Sequence, residues 1–276
     1  MIKRVFSLLL FTVAGFGLMI SAAYFLQEKL LFHPEKLPLS YQFEFSNPFE
    51  ELYISVASDV TINALYFPAE KSQGVILYFH GNAGSLRNWG DVAEDFLTHQ
   101  YDFFIFDYRS YGKSTGSISE EALHNDALMV YQYILKHYPD KKIIVYGRSL
   151  GTGLAAALAA ENEVEQLILE SPYYSMIDLA HHLIPWIPHK WILKYHLRTD
   201  LYLRQVQCPI LIFHGRQDNT IYFGSSLKLT KLFKPGDELV EIDNAGHNDI
   251  AAFPLYHHKL WEVLNDGIVK EPETLF

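Results

Sequence analysis

A serine flanked by two glycines lies near the middle of the chain, in the pentapeptide Gly-Arg-Ser-Leu-Gly at residues 147–151. A hydroxyl there can attack a carbonyl carbon if the turn lifts it clear of the backbone. The bare pattern arises by chance in roughly one chain in twenty of this composition, so its surroundings decide its meaning. A β-branched run at 143–146 precedes it, and an alanine-rich run begins at Thr152. A strand, a tight turn and a helix in that order favour a nucleophilic Ser149 over an incidental serine in an ordinary turn.

A serine nucleophile needs a base, and the base needs a carboxylate that orients it. Asp218 follows the apolar run 210–213, and His247 follows the run 239–242 through a short turn. We therefore predict Ser149, Asp218 and His247 as a catalytic triad. Glu170, which ends the run 166–170, is a rival for the acid. The other histidines, including those that precede glycines at strand ends, are interpreted as structural or exposed.

Acyl transfer also needs N–H donors for the oxyanion that forms on the attacked carbonyl. The sequence His-Gly-Asn-Ala-Gly at 80–84 follows a buried run at 75–80. The predicted donors are the backbone N–H groups of Asn82 and Leu150, the second of which directly follows the serine. The alternative is a glycine-rich turn with no chemical role.

These motifs together resemble one branch of the α/β-hydrolase superfamily. The resemblance includes the sequences at 80–84 and 147–151 and also Asp-Tyr-Arg-Ser-Tyr-Gly-Lys-Ser at 107–114, Glu-Ser-Pro at 170–172 and Ala-Gly-His-Asn-Asp at 245–249. That branch contains single-pass, membrane-anchored serine hydrolases and is similar to the α/β-hydrolase-domain depalmitoylases. The likeness covers about residues 27–265, and Ser110 departs from it because the group often has glycine there.

The predicted function is hydrolysis of a carboxylic ester or thioester through an acyl-serine intermediate, without a cofactor. The expected substrate is an acylated small molecule, lipid or protein. Two alternatives stay open. A serine peptidase or amidase would use the same triad, and a non-catalytic, membrane-tethered binding module would belong to a different class. The complete triad argues against the binding module, because binding would not require all three residues.

Alternating strand-like and helix-like segments must position these residues. Strands are predicted at 52–57, 60–67, 75–80, 103–107, 142–146, 166–170, 210–214 and 239–242, and helices at 86–99, 120–137, 152–160, 225–233 and 250–266. The first two strands are expected to pair antiparallel, and Ser117 and Glu120 are interpreted as a capping box for the second helix. The pattern predicts an α/β fold with a mostly parallel, eight-stranded sheet and helices on both faces.

An uncharged run at residues 5–26 precedes this pattern. As a helix it would span on the order of 33 Å, enough to cross a bilayer. We interpret it as a transmembrane anchor rather than a cleaved signal peptide, because apolar residues continue past Ser21-Ala22-Ala23. Lys3 and Arg4 favour a cytoplasmic N-terminus, which leaves the catalytic domain on the non-cytoplasmic side, the periplasm in a Gram-negative bacterium. Residues 27–39 form an amphipathic neck that lies at the membrane interface or packs on the domain.

The catalytic domain is expected to occupy residues 27–276 and to include an aromatic- and proline-rich lid insertion at 170–206. Its aromatic side chains either pack the loop or form an apolar wall for an acyl chain. The formal net charge of −10 disfavours nucleic-acid binding. The histidines lack metal-ligand spacing, so no metal is predicted, and the single cysteine, Cys208, is interpreted as a core residue.

Overall fold

The computed structural model of the protein describes residues 2–265. An eight-stranded sheet runs through the domain. Its strands are β2 (Glu50–Ala57), β3 (Val60–Phe67), β4 (Gly74–Phe79), β6 (Asp102–Phe106), β7 (Lys142–Arg148), β8 (Gln166–Glu170), β9 (Ile210–Gly215) and β10 (Glu238–Ile242). They lie in the order β10-β9-β8-β7-β4-β6-β3-β2. Only the pairings β2–β3 and β3–β6 are antiparallel, so the predicted mostly parallel sheet is confirmed. Two short strands, β1 (His33–Pro34) and β5 (Ala83–Gly84), pair parallel to each other outside this sheet.

The central strands are buried on both faces, because helices cover the sheet on each side. In β4 every residue is buried, and its side chains alternate between two apolar clusters. Val75, Leu77 and Phe79 enter the cluster on one face, whereas Ile76 and Tyr78 enter the cluster on the other. The continuous apolar runs in the sequence therefore reflect strands that lie in the middle of a three-layer domain.

Each predicted helical region contains helix, but three of them are broken into shorter pieces. The α-helices are α1 (Ile2–Leu31), α2 (Leu86–Trp89), α3 (Ala93–Leu97), α4 (Glu120–His137), α5 (Gly151–Glu161), α6 (Met176–Leu183), α7 (His189–Ile192), α8 (Thr199–Tyr202), α9 (Gly224–Leu229) and α10 (Pro254–Asn265). Short 3-10 helices adjoin them at Gly90–Val92, Thr230–Leu232 and Ile250–Ala252. Asp266, the predicted end of the last helix, lies outside the described residues.

The N-cap of α4 differs from the predicted capping box. Ser119, not Ser117, accepts a hydrogen bond from the backbone N–H of Ala122 at 3.1 Å. The carboxylate of Glu120 instead accepts hydrogen bonds from the backbone N–H groups of His196 and Leu197 in the lid region. The first turn of α4 thus holds a segment that lies 76 residues further along the chain.

Helix α1 extends beyond the predicted anchor at residues 5–26. Its part from Leu10 to Leu31 is long and apolar enough to cross a membrane. The last turns of α1 and the residues after it pack on the domain. The Gln27 side chain is buried, and β1 pairs with β5 beside the His-Gly-Asn-Ala-Gly loop. Of the two interpretations of the neck, packing on the domain describes this structure.

Candidate active site

Ser149 occupies the turn between β7 and α5 with a φ of 50°, a left-handed conformation that strains a residue with a side chain. The two flanking glycines make this turn sterically feasible. A Cβ at Gly147 would lie 2.7 Å from the Cβ of Ala155. At Gly151 it would clash with the carbonyl oxygen of Phe79 on the neighbouring strand. Strand β7 and helix α5 can pack this closely only because neither position carries a side chain.

The three predicted triad residues form one hydrogen-bonded series. Nε2 of His247 lies 2.9 Å from Oγ of Ser149, and Nδ1 of His247 lies 2.7 Å from Oδ2 of Asp218. Asp218 follows β9 and His247 follows β10, so the predicted acid and the predicted base come from two adjacent strands at one side of the sheet. Because a carboxylate can only accept, Nδ1 carries the proton and Nε2 is free to accept the serine proton.

The Asp218 side chain has no exposed surface and is held by donors on several sides. Its Oδ1 accepts the backbone N–H groups of Thr220 and Ile221, each at 2.8 Å. Nε2 of His214 lies 3.3 Å from Oδ2. Burial by itself would raise the pKa of the Asp218 carboxyl, but the hydrogen bonds from His214 and His247 outweigh it and hold the pKa well below its usual value. His247 therefore has an ionised partner throughout the neutral range.

The support from His214 was missed by sequence reasoning, which identified this residue only as structural. His214 lies fully buried in β9, four residues before Asp218. Its Nδ1 lies 2.6 Å from Oγ of Ser226, and its Nε2 lies 2.9 Å from the Ile221 carbonyl oxygen. A histidine at the end of the strand that leads to the acid was the available signal.

Glu170, the rival for the acid, is engaged elsewhere. Its Oε1 lies 3.0 Å from Nε of Arg148, and its Oε2 accepts the hydroxyl of Tyr146 at 2.7 Å. The Arg148 guanidinium also donates to Oδ1 of Asn248 at 3.2 Å and lies over the ring of Trp89. The Glu170 carboxylate thus neutralises Arg148, which lies next to Ser149 in the chain. Arg148 in turn links the serine turn to Asn248, the residue after His247.

The amides predicted to bind an oxyanion lie on both sides of the serine turn. Leu150 is the N-cap of α5, so its N–H has no partner within that helix. On the other side, a Cβ built on Gly81, the residue before Asn82, would lie 3.9 Å from the Cβ of Ser149. The two predicted donors therefore belong to segments that adjoin the Ser149 side chain.

His80 fixes the peptide that carries the Asn82 N–H. Nδ1 of His80 donates to the carbonyl oxygen of Gly81 at 2.6 Å, and the trans peptide directs the Asn82 N–H the opposite way. Complete burial lowers the pKa of His80 from 6.5 to about 4, so the ring is neutral. Its Nε2 lies 3.5 Å from the carboxyl of Asp107, whose pKa burial raises well above its usual value.

The segment after α1 is joined to this same loop. The side-chain amide of Asn82 donates to the carbonyl oxygen of Leu31 at 2.8 Å. The Asn82 carbonyl oxygen accepts the N–H of His33 at 3.1 Å and the hydroxyl of Tyr111 at 2.6 Å. Nothing in the sequence pattern indicated that the neck would contact the predicted oxyanion loop.

The aromatic side chains of the predicted lid at residues 170–206 separate into two groups. Tyr173 and Tyr195 are buried, and the Tyr173 hydroxyl bonds to the carbonyl of Leu150 and the N–H of Gly153. Trp186 and Trp191 are exposed. Part of the lid therefore supports the serine turn, and another part faces outward.

Two other predictions concern sites away from the triad. Within residues 2–265, no group of three or more histidine, cysteine, aspartate or glutamate side chains could hold a metal ion. Cys208 packs against the apolar core, and burial raises the pKa of its thiol to about 11, which leaves it protonated and unreactive at neutral pH. It borders a cavity of about 870 Å³ that is also lined by Lys142 and Glu165. These two residues lie at the N-terminal ends of the parallel strands, whereas Ser149 lies at the C-terminal end of β7.

Comparisons with known proteins agree with this architecture. A family model described as alpha/beta hydrolase fold matches residues 74–192. The chain is 31% identical to protein bem46 of Schizosaccharomyces pombe over 64% of this chain and 63% of that protein. It is 32% identical to the lysophosphatidylserine lipase ABHD12 of Danio rerio over 59% of this chain and 48% of that protein. The matched regions thus span about half to three fifths of these two relatives.

Among solved structures, the Pyrococcus furiosus esterase Pf2001 superposes with a TM-score of 0.68 at 19% identity, over 86% of this chain and 97% of that one. At that identity the superposition establishes the fold alone. The sheet order, the serine turn between β7 and α5, the family model and the sequence relatives agree with one another. The chain has the α/β-hydrolase fold.

Proposed function

We propose that this protein is a serine hydrolase that cleaves carboxylic ester or thioester bonds through an acyl-Ser149 intermediate. The observation that carries the proposal is the series Ser149–His247–Asp218, with contacts of 2.9 and 2.7 Å and a strained serine at its end. A buried, ionised carboxylate that orients a histidine toward a serine hydroxyl is the arrangement acyl transfer requires.

In the proposed reaction, Nε2 of His247 takes the Ser149 proton as Oγ attacks the carbonyl carbon. The backbone N–H groups of Asn82 and Leu150 stabilise the oxyanion. The protonated histidine then gives its proton to the leaving oxygen or sulfur, and the acyl group stays on Ser149. A water molecule, deprotonated by His247, releases the acid and restores the serine. Asp218 stabilises the imidazolium in both halves of the cycle.

The proposed substrates are acyl esters or thioesters of small molecules, lipids or proteins. One sequence relative supports this class, because it is named a lysophosphatidylserine lipase. No cofactor enters the proposed reaction, since every proton transfer uses residues of this chain.

We also propose that α1 anchors the protein in a membrane and that the catalytic domain lies on the non-cytoplasmic side. Lys3 and Arg4 precede the apolar stretch, whereas Lys29 at its other end is a weaker opposing charge. Resistance to extraction by alkaline carbonate is expected, and extraction would argue against the anchor. Digestion of the domain by protease added outside spheroplasts is expected, and protection would reverse the orientation.

The decisive experiment combines a fluorophosphonate probe with a panel of acyl esters, thioesters and amides of increasing chain length. Wild type should be labelled, and Ser149→Ala should lose both labelling and several orders of magnitude in turnover. Ser171→Ala is a matched control, because Ser171 has the same φ of 50° at the end of the adjacent strand. More than about a tenth of wild-type turnover in Ser149→Ala would refute the nucleophile. Unlabelled wild type would indicate a binding module, and a preference for amides would indicate a peptidase or amidase.

A further inference from the structure

The predicted lid carries four large apolar side chains within residues 183–191 that the domain leaves uncovered. Leu183 is 63% exposed, Trp186 74% and Trp191 86%, with Ile184 between them at 39%. In soluble proteins, two tryptophans this exposed within one short segment are unusual, because each leaves a large apolar area in contact with water. We call these four residues the lid surface.

The charge of this segment differs from that of the rest of the chain. The chain contains 32 acidic residues and has a net charge of −10, yet residues 179–199 contain no aspartate or glutamate. Lys190 and Lys194 lie in the same stretch. Apolar and aromatic side chains interleaved with lysine are typical of elements that lie in the headgroup region of a bilayer.

Helix α7 is fixed against the end of α1 through a buried glutamine. Nε2 of Gln27 donates to the carbonyl oxygen of Ile192 at 3.2 Å, and Oε1 of Gln27 accepts the N–H of Lys194 at 2.7 Å. The Lys194 ammonium lies 3.6 Å from a carboxylate oxygen of Glu28 and 4.7 Å from the centre of the Tyr24 ring. The turn of α1 from Tyr24 to Glu28 therefore lies beside the end of α7, the helix that contains Trp191.

This contact fixes the level along α1 at which α7 lies, and therefore the position of the lid surface along the membrane normal. The uncharged run of α1 ends at Leu26, and Glu28 and Lys29 follow it. With a rise of about 1.5 Å per residue, Gln27 lies within one turn of that transition. An apolar helix that crosses a bilayer passes into the headgroup region at this level, where tryptophan and tyrosine are enriched.

We propose that the lid surface is immersed in the interfacial layer of the bilayer that α1 crosses. The partner is a lipid surface, with the tryptophan rings at the acyl-chain boundary and the lysines near the phosphates. The proposal rests on the membrane anchoring of α1 but not on the catalytic assignment. The lid is also in contact with the candidate active site. The ring of His182 in α6 stacks on the ring of Tyr222, with 3.8 Å between their centres, and Tyr222 lies four residues after Asp218 in the chain. Acylated substrates could then reach the domain from the layer in which they dissolve.

The test is contact quenching of tryptophan fluorescence by lipids brominated near the top of their acyl chains. The full chain, reconstituted into phosphatidylcholine vesicles, has four tryptophans and none of them lies in α1. Brominated lipid should quench wild type, and the double variant Trp186→Phe/Trp191→Phe should lose most of that quenching. The matched control is Trp261→Phe, since Trp261 is 49% exposed on α10 and should leave the quenching unchanged.

The outcomes separate this proposal from the anchor and from the enzyme. Flotation of the vesicles in alkaline carbonate reports α1 alone, and cooperative thermal unfolding of both variants reports folding. A chain that floats but shows no quenching of wild type, or keeps full quenching in the double variant, would overturn the lid proposal while the anchor stands. A concentration-dependent dimer that the double variant abolishes, without lipid quenching, would instead assign the surface to a second copy of the chain.

Discussion

The side-chain amide of Asn82 donates a hydrogen bond of 2.8 Å to the carbonyl oxygen of Leu31, the last residue of α1. The same residue carries one of the two N–H groups assigned to the oxyanion. The end of the N-terminal helix and the loop beside Ser149 are therefore joined by one residue, and the pairing of His33 with Ala83 continues the connection. Asn82 thus ties the position of the loop to the position of the helix.

Replacement of Asn82 by alanine should lower kcat by about three- to tenfold and leave KM nearly unchanged. The backbone N–H is retained, but the loop that holds it loses one hydrogen bond of about 1 kcal/mol. Steady-state kinetics on a soluble acyl ester would measure the effect, with Asn88→Ala as the control because Asn88 is an exposed asparagine in the following helix. An unchanged kcat in Asn82→Ala would show that the hydrogen bond from the Asn82 side chain to Leu31 does not position the Asn82 backbone N–H.

Substitution of the two candidate acids should change different quantities, kcat for Asp218 and Tm for Glu170. Asp218→Asn should lower kcat by about 10³- to 10⁴-fold, because the amide no longer holds the proton on Nδ1 of His247. Glu170→Gln should change kcat by less than about tenfold and instead lower the Tm, since it leaves the partly buried Arg148 without its carboxylate. Kinetics per fluorophosphonate-labelled site and thermal unfolding in detergent would separate the two. The opposite ranking of kcat losses would make Glu170 the acid.

Acid should destabilise the fold through His80. Its pKa is about 4 when folded and 6.5 when unfolded, so the unfolded chain binds more protons between these values. The stability this group contributes is complete above pH 6.5 and falls by on the order of 3 kcal/mol as the pH drops to about 4. His80→Asn keeps an N–H donor near the Gly81 carbonyl and removes the titration. Tm measured from pH 7.5 to 4.5 should therefore fall less steeply in the variant.

Other groups also have shifted pKa values, and wild type and His80→Asn share them. Burial raises the pKa of Asp107, so this group stabilises the fold at low pH, the opposite sign to His80. His99 and His124 have lowered pKa values and the same sign as His80. All three are present in both proteins. His258→Asn, at an exposed histidine, should reproduce the wild-type pH dependence, and equal slopes in wild type and His80→Asn would contradict the prediction.

Addition of one methyl group at Gly151 should prevent stable folding. The new Cβ would overlap the backbone of Phe79 in β4, and neither a strand nor a helix N-terminus can shift without breaking hydrogen bonds. Gly246→Ala is the control, because the nearest atom to its Cβ would be 3.5 Å away. Yield of detergent-soluble, cooperatively unfolding protein would measure both. A Gly151→Ala variant with wild-type Tm would refute the close packing of β7, α5 and β4.

The elements that could be predicted from the sequence are those that a pattern of neighbouring residues indicates. Buried strands such as β4 and β7 appear as continuous apolar runs, and the serine turn is marked by adjacent glycines. The predicted helix at 86–99 instead breaks at Gly90, where the glycine packs against the ring of Phe45. A contact between residues so far apart leaves no periodicity in the sequence.

The unpredicted features of the site have the same origin. Arg148 pairs with Glu170 on the neighbouring strand, and Glu120 receives the backbone of the lid rather than capping its own helix. Asn82 reaches back 51 residues to Leu31. Each of these is a polar contact between segments that only the folded sheet brings together. Residue types alone could suggest that such side chains matter but not which partner each one takes.

The order of the triad along the chain has a consequence for biosynthesis. Ser149 and His247 are 98 residues apart, and Asp218 and His247 follow β9 and β10, the last two strands of the sheet to be synthesised. At about 5–20 residues per second, a ribosome needs on the order of 5 to 20 s to proceed from the serine to the histidine. During that interval the nascent chain can already contain β4, β7 and the serine turn but no base. Under the proposed mechanism, the chain is therefore inert toward acyl groups in its surroundings until His247 has been synthesised.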